Sequence, residues 1–502
     1  MFNVNRLVLS IGIWAGISAC SVTENSIQQK RDVSVKPNVI FILVDDMGYG
    51  ELGSFGQTII NTPNLDQMAN EGMKLSNFYA GSAVCAPSRA SLMTGQHTGH
   101  SQIRGNYDMG GNFEDETEYG QLPLKAGTTT LATLMKDAGY VTGAVGKWGL
   151  GGPGSQGEPN KQGFDYFFGY LDQKQAHNHT PTHLWRNTEW VKLDNEPIKL
   201  HNLMLENFDY DNPLSYEQFT GGDFAQEHLN AAALDFIDSN KNKPFFLYLS
   251  YAMPHAALQA PDEEIEKYYF EVDPPNKGSY YNPTFKPRAT RAAMVTYTDK
   301  HIGKVMTKLK EQGLDDNTLV IFTSDNGAAQ EGGVDLELFN ANGSFRGQKR
   351  QLYEGGIRMP TIAWWPGRIE PSTESKHIGA FWDVMPTLAE LAGQPIVEKI
   401  DGISFLPTLI GGKQVEHDYL YWEFPHGKKS AQAIRDGKWK ALRLFKGDRV
   451  KGYKEIVELY NLSVDDAESN NLAKQYPELM KKYTTLMDKS RSRSEIDKWN
   501  FD

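Results

Sequence analysis

Cys85 is one of two cysteines in the chain, and it opens the run Cys85-Ala86-Pro87-Ser88-Arg89-Ala90-Ser91-Leu92-Met93-Thr94-Gly95. A lone cysteine is most often a small, buried apolar residue, so its chemistry depends on its company. Two polar pairs elsewhere supply some. Asp45-Asp46 and Asp325-Asn326 offer only oxygen donors, a set that selects a hard cation such as Ca²⁺ or Mg²⁺ over zinc or copper. Either pair alone reads as turn or capping chemistry. Brought together, their carboxylates need a counter-charge, and a metal site supplies it. Lys147, between Gly146 and Trp148, and His255, after Pro254, are further polar residues set against apolar runs.

The elements that must position these residues alternate. Asn38 to Val44 is a continuous β-branched apolar run, the pattern of a strand buried on both faces. Thr62-Pro63 starts a helix that runs to about Gly72, and Thr130 to Asp137 is a helix stopped at Gly139. Tyr140 to Gly146 is the next strand, Asp223 to Ser239 a helix, Pro244 to Tyr251 a strand, Arg288 to Gln312 a long helix and Thr318 to Ser324 a further strand. Strands alternating with helices predict a large, mostly parallel sheet sandwiched by helices, an α/β fold. Asp45-Asp46, Lys147, His255 and Asp325-Asn326 then follow four different strands. They meet at the carboxyl edge of the sheet, where open α/β folds bind ligands.

At 502 residues the chain exceeds one ordinary core. Its formal net charge of −12 argues against a nucleic-acid partner. It also requires that any site for an anionic substrate be locally cationic within a repelling field. Residues 1–19 read as a targeting segment: Arg6 gives the positive n-region, and Leu7 to Ile17 a short apolar core. Ile17-Ser18-Ala19-Cys20 looks like a bacterial lipobox, which would make Cys20 a lipidated first residue, with an ordinary cleaved signal as the alternative. Residues 20–36 then form a polar tether from a membrane anchor in the cell envelope. Residues 37–400 are expected to form the main domain. From about Asp401 the pattern changes to short strands (Leu420 to Phe424, Ala431 to Arg435, Lys438 to Leu444, Ile456 to Tyr460) and a helix near Pro477 to Arg491. This is a smaller antiparallel α+β subdomain over 401–502, closing one side of the site.

Cys85-Ala86-Pro87-Ser88-Arg89 resembles the signature of the formylglycine-dependent sulfatases, of the alkaline phosphatase-like superfamily. Val44-Asp45-Asp46-Met47-Gly48 and Thr323-Ser324-Asp325-Asn326-Gly327 are similar to that family's metal-binding segments, Gly146-Lys147-Trp148 to a catalytic-lysine segment, and Pro254-His255 to a sulfate-contacting one. Arg346-Gly347-Gln348-Lys349 before Leu352-Tyr353-Glu354-Gly355-Gly356-Ile357-Arg358 resembles the second-lysine segment, and Glu458-Leu459-Tyr460-Asn461-Leu462 with Asn470-Asn471-Leu472 the closing one. The resemblance implies a carbohydrate sulfatase. Its nucleophile is a formylglycine derived from Cys85 by a formylglycine-generating or anaerobic maturation enzyme. Calcium would be held by Asp45, Asp46, residue 85, Asp325 and Asn326. Arg89, Lys147 and Lys349 would neutralise the charge of the transferring group, and His255, with Lys349 second, would protonate the leaving oxygen. A phosphodiesterase or phosphonate hydrolase of the same superfamily, or a silent lipoprotein that binds sulfated glycans, is the alternative.

One position departs from the resemblance. Many sulfatases have Gly-Lys-Trp-His where this chain has Gly146-Lys147-Trp148-Gly149. The nearby Ala176-His177-Asn178-His179 suggests that His177 or His179 reaches the site instead. Residues from Gly163 to Trp190 are dense in aromatics, among them Trp185, which offer flat faces to sugar rings; Phe167-Phe168 reads as core. Leu171 to Gly222 lacks periodicity, as binding loops often do, and substrate recognition by His177, His179 and Trp185 is placed there. Candidate substrates are algal polysaccharide fragments of the ulvan or carrageenan type, or host glycans.

Overall fold

Asn38–Val44 (β1) is apolar at six of its seven positions and buried at all of them. Val39, Phe41 and Leu43 enter one hydrophobic cluster, and Ile40, Ile42 and Val44 the opposite one. The strand is therefore the centre of a two-sided core, as its unbroken apolar run predicts. The computed structural model describes residues 36–110, 118, 120–201, 205–278, 280–395, 399–448 and 452–501; the predicted leader, Cys20 and the tether lie outside them. Residues 36–502 form one compact unit.

The remaining strands are Met73–Leu75 (β2), Phe78–Tyr79 (β3), Val141–Lys147 (β4), Tyr166–Tyr170 (β5), His183–Arg186 (β6), Glu189–Lys192 (β7), Phe245–Ser250 (β8), Thr318–Ser324 (β9), Ile362–Trp364 (β10), Thr373–Ser375 (β11), Gly379–Ala380 (β12), Leu420–Phe424 (β13), Ala431–Asp436 (β14), Trp439–Asp448 (β15) and Gly452–Asn461 (β16). Ten of them make one sheet in the order β11-β2-β10-β9-β1-β8-β4-β5-β6-β7. Its centre, β9-β1-β8-β4-β5, is parallel throughout. Helices Cys85–Thr94, Leu131–Asp137 and Val384–Ala392 cover one face; Pro63–Glu71, Ala225–Asn240 and Pro287–Glu311 cover the other.

The strands β13 to β16 form a separate antiparallel sheet. Tyr421, Ile434, Ala441 and Leu459 on one of its faces pack under Met480, Tyr483 and Met487 of the helix Pro477–Lys489. The other face sets Trp422, Ala433, Leu442 and Tyr460 against Tyr79, Ala83, Val84, Leu352, Tyr353 and Trp382. The small sheet thus presses on the segments that precede Cys85 and follow Lys349.

Two sequence expectations change. Lys147 is the last residue of β4, fully inside the sheet rather than beyond it. Residues 171–222, read as irregular, contain the β6–β7 hairpin, which extends the sheet edge antiparallel to β5. Its two strands are four residues each, too short for a period-2 pattern to emerge.

Candidate active site

The register of the central strands builds the site. β1 pairs with β9 so that Val44 stands opposite Ser324, and the next residues, Asp45 and Asp325, leave the sheet side by side. The Asp325 N–H donates to Val44 O at 3.0 Å, and Ser324 Oγ accepts from Met47 N at 2.9 Å. Asp46 takes a left-handed φ of 62°, a conformation aspartate tolerates better than most residues. The turn lets the Asp46 N–H donate to Asp325 Oδ1 at 3.3 Å while Asp46 Oδ1 accepts from Asn326 Nδ2 at 2.6 Å. All four side chains are buried.

Cys85 is the first residue of the helix Cys85–Thr94, which ends at Gly95 in the left-handed region, a common helix stop. Pro87 sits in the first turn, where its missing N–H costs nothing. Cys85 Sγ lies 3.3 Å from Asp45 Oδ1. Arg89, one turn on and on the same helix face, is fully buried. It reaches Asp325 Oδ2 through Nε at 3.0 Å and Nη2 at 2.9 Å, and donates from Nη1 to Lys147 O at 2.8 Å. Ser88 points the other way and accepts from Gly81 N at 3.1 Å, pinning the entry loop.

Lys147 Nζ is paired with Asp45 Oδ2. Gly146, just before it, has φ 110°, and a Cβ there would stand 1.8 Å from Ser250 O on β8. Only glycine lets β4 run this close to its neighbour and aim Lys147 into the site. Lys349 Nζ lies 2.7 Å from Asp46 Oδ2, 3.0 Å from His255 Nε2 and 3.4 Å from Glu331 Oε2. Arg291 braces the arrangement from the long helix. It grips the buried Glu51 with Nε at 2.9 Å and Nη2 at 2.6 Å, and also donates to the backbone carbonyls of Asp46 and Pro254.

Charge separates these groups. Burial alone would push Asp45 up, but Lys147, His255, Arg89 and Lys349 outweigh it and hold the carboxyl far below its ordinary value. Asp325 is pushed up to about 7 by burial and by Asp45 beside it. The Cys85 thiol is pushed well above its ordinary value by burial and by the carboxylates of Asp325 and Asp45. Lys349 stays protonated, because Asp46 overcomes its burial. His255 is held below its ordinary value by burial and by Lys349. Its Nδ1 faces Ala256 O, and its Nε2, facing an ammonium, can only accept. The proton in this contact therefore belongs to Lys349, not to His255.

The donor set fits a hard cation. Asn326 Oδ1 is buried with no hydrogen-bond donor, an arrangement costly in a protein interior unless something else satisfies the oxygen. Three buried carboxylates converge beside it, and one of them, Asp325, is raised in pKa by burial and by Asp45. Ligand atoms of Asp45, Asp46, Cys85 and His255 lie within 4.8 Å of one another, but the free lone pair of His255 is already engaged by Lys349. Asp45, Asp46 and residue 85, with Asp325 and the unpartnered Asn326 Oδ1 beside them, could hold the ion.

His177 and His179 both arrive next to His255. The rings of His177 and His255 stack with centroids 4.4 Å apart, and His179 Nε2 donates to His255 O at 2.8 Å. Gly149, in the left-handed region with its N–H donating to Leu171 O, continues the backbone pairing after β4. Trp185 stands on β6 opposite Gly169 of β5, which is opposite Gly146. It lies two strands from the strand that carries Lys147, and its indole N–H donates to Glu118 at 2.6 Å. Sequence reasoning missed Glu331, Arg291, Glu51, His201 and Tyr281. The unsatisfied balance of cations against acids was a signal for Glu331; nothing marked Arg291 among the basic residues of its helix.

The sequence profile of the family described as Sulfatase matches residues 37–394, and that of the N-sulphoglucosamine sulphohydrolase C-terminal region matches 343–493. The chain belongs to the sulfatase family and is a sulfuric ester hydrolase. It is 30% identical to an N-acetylgalactosamine-6-O-sulfatase of Bacteroides thetaiotaomicron, over 98% of this chain and 100% of that protein. It is 31% identical to arylsulfatase G of Rattus norvegicus, over 90% and 86%. Among solved structures, Ps i-CgsB in complex with k-i-k-neocarrahexaose superposes with a TM-score of 0.73 at 28% identity, covering 93% of this chain and 95% of that one.

Proposed function

We propose that the protein hydrolyses sulfate esters of carbohydrate oligosaccharides with a formylglycine made from Cys85 and a calcium ion bound by Asp45, Asp46, Asp325 and Asn326. The observation that carries this reading is the setting of Cys85. Its sulfur sits 3.3 Å from one carboxylate, in a pocket whose burial and carboxylates raise the thiol pKa. A thiol is nucleophilic as thiolate, so the encoded residue is badly placed to attack an anionic ester. An aldehyde hydrate at the same position has hydroxyl oxygens suited to a carboxylate and a hard cation. When bound, the ion supplies Lewis-acid polarisation and positive charge for the sulfate oxygens.

A formylglycine hydrate at position 85 would supply one hydroxyl to form the bond to sulfur as the S–O bond to the sugar breaks, its proton passing to the Asp45 and Asp325 carboxylates and the sugar oxygen taking one to leave as an alcohol. Its second hydroxyl would supply the proton loss that breaks the C–O bond to sulfate and restores the aldehyde, which water would rehydrate. Arg89, Lys147 and Lys349 balance the charge on the transferring group. Lys349, which holds the proton in its contact with His255, donates to the leaving oxygen, and His255 orients it. His177, stacked on His255, lines the approach of the sugar, and His179 braces the His255 loop, while Trp185 stands two strands from the one that carries Lys147. The galactosamine sulfatase and the carrageenan-oligosaccharide complex among the relatives favour a sulfated galactose-type sugar as substrate. Lipidation at Cys20 would hold the enzyme at a membrane of the cell envelope.

The test is mass spectrometry of the Cys85 peptide from active protein, together with sulfate release from 4-nitrophenyl sulfate and sulfated sugars with and without a chelator. A loss of about 18 Da at Cys85, the mass difference between a thiol-bearing and an aldehyde-bearing side chain, and chelator-sensitive activity are expected. Unmodified thiol in protein that still releases sulfate would overturn the mechanism. Faster release of phosphate from phosphate esters would favour the phosphodiesterase alternative, and binding of sulfated sugars without release would favour the silent lipoprotein.

A further inference from the structure

Beside the charged cluster stands a wall of rings that sulfate transfer does not use. His201 meets His177 edge-on at 5.1 Å, and Tyr281 lies against them at 5.4 and 5.2 Å. Tyr280 leans on His201 at 5.0 Å and is 42% exposed. Backbone bonds tie the segments together: His201 bridges Tyr281, Asn282 N donates to Leu200 O at 2.9 Å, and Ala257 N to His177 O at 3.0 Å. Leu200, Ala256, Ala257 and Tyr281 form a small apolar cluster behind the wall.

The two histidines are coupled. His177 Nδ1 and His201 Nε2 are 2.9 Å apart. Burial holds His177 well below its ordinary pKa and His201 at about 4, so both rings are neutral and one proton occupies the contact. With that proton on His177 Nδ1, His177 Nε2 is a bare acceptor and His201 Nδ1 carries a hydrogen. With the proton on His201 Nε2, the two roles exchange. Tyr281 Oη, at 3.5 Å from His177 Nδ1, is too far to compete. Among the described residues nothing hydrogen-bonds His177 Nε2 or His201 Nδ1. Among the described residues the pair therefore leaves one donor and one acceptor unengaged.

We infer that this wall docks an uncharged part of the sulfated sugar: the ring lies on the exposed face of Tyr280, beside His201, and a hydroxyl or acetamido group meets one nitrogen of the histidine pair. A hydroxyl or an amide can donate to that nitrogen or accept from it and so fits either placement of the shared proton, whereas a second sulfate or a carboxylate can only accept and fits one of the two. The inference rests on the carbohydrate-sulfatase reading above and makes His201 and Tyr280 selectors of the sugar.

Three variants of the full chain separate the possibilities. His201→Phe keeps a ring but loses both nitrogens, His201→Asn restores a donor and an acceptor, and Tyr280→Ala removes an exposed face. Thermal melts show whether each is folded. Kinetics compare 4-nitrophenyl sulfate with whichever of N-acetylgalactosamine 6-sulfate and neocarrabiose 4-sulfate the unmodified sequence cleaves faster. His201→Phe and Tyr280→Ala are expected to lower the sugar-to-aryl ratio of kcat/KM by about tenfold, the size of one lost hydrogen bond or stacking contact. The change should lie mainly in KM, with His201→Asn recovering most of the ratio. An unchanged ratio in folded variants, equal losses on both substrates, or an enzyme that cleaves the aryl sulfate and neither sugar overturns the inference. Sulfate release from none of the compounds overturns the underlying reading instead.

Discussion

The strand-end cluster and the ring wall touch at His255, yet they are built in opposite ways. Asp45, Asp325, Lys147 and Ser250 sit at the ends of four strands whose registers fix them to one another. His177, His201, Tyr280 and Tyr281 come from loops joined by a few backbone bonds. The first arrangement places charge where a buried reaction needs it, with little freedom to vary. The second can change its residues without disturbing the sheet, which suits it to choosing among sugars.

The largest effects should fall on the first region. Replacing Cys85 by Ala, or by Ser, which has only one hydroxyl, is expected to lower sulfate release by roughly 10⁴-fold or more in kcat, as loss of a nucleophile does. Lys349→Ala should cost ~10²–10⁴-fold. Lys349→Arg should not restore it, because a planar guanidinium cannot take the place of a compact ammonium between Asp46 and His255. A Lys349 variant that lost activity only on sugars would erase the distinction between the regions.

Stability gives the next test. Glu51→Gln breaks a buried pair that joins the Asp46 turn, the His255 loop and the long helix. It is expected to cost about 3–5 kcal/mol in urea unfolding, whereas Tyr280→Ala, at an exposed site, should change stability by less than ~0.5 kcal/mol. Comparable losses would mean that the wall is structural too.

The smallest effect is a pH dependence away from both regions. Glu468 lies 3.0 Å from Lys440, which also holds Glu354 at 2.8 Å. Burial raises the Glu468 pKa to about 7, with Glu354 adding to the rise and Lys440 opposing it. The folded state then binds a proton that the unfolded state has already released, so this contribution to stability is lost as pH rises from the ordinary glutamate range through about 7. Melting temperatures between pH 5 and pH 8 should fall in the natural chain and fall less in Glu468→Gln; equal slopes would remove Glu468 as the cause.

What was legible in the sequence follows the same division. Asn38–Val44, Thr318–Ser324 and Leu420–Phe424 appear at their predicted bounds, because buried strands advertise themselves as unbroken apolar runs. The polar residues after them were legible for the same reason: each stands where such a run stops. His201 and Tyr281 carry no such mark, since their pairing depends on two loops meeting across 80 residues of sequence. Lys349 was found only through a family resemblance, because a basic loop segment alone looks like solvated surface. Glu51 and Arg291 gained their roles from packing that no local pattern encodes. His177 and His179 were found by composition, but their contact proved to be with His255, which follows β8, the strand next to the one that Gly149 follows.

The small C-terminal sheet also sets an order in time. Its inner face covers Ala83 and Val84, just before Cys85, and Tyr353, just after the Lys349 segment. The two segments are themselves joined by Arg350 N donating to Ala83 O at 2.8 Å. With the small sheet packed against these segments, Cys85 is 2% exposed. On the proposed formylglycine reading, a maturation enzyme would have to meet Cys85 before this sheet packs, so the last hundred residues to be made would close its opportunity.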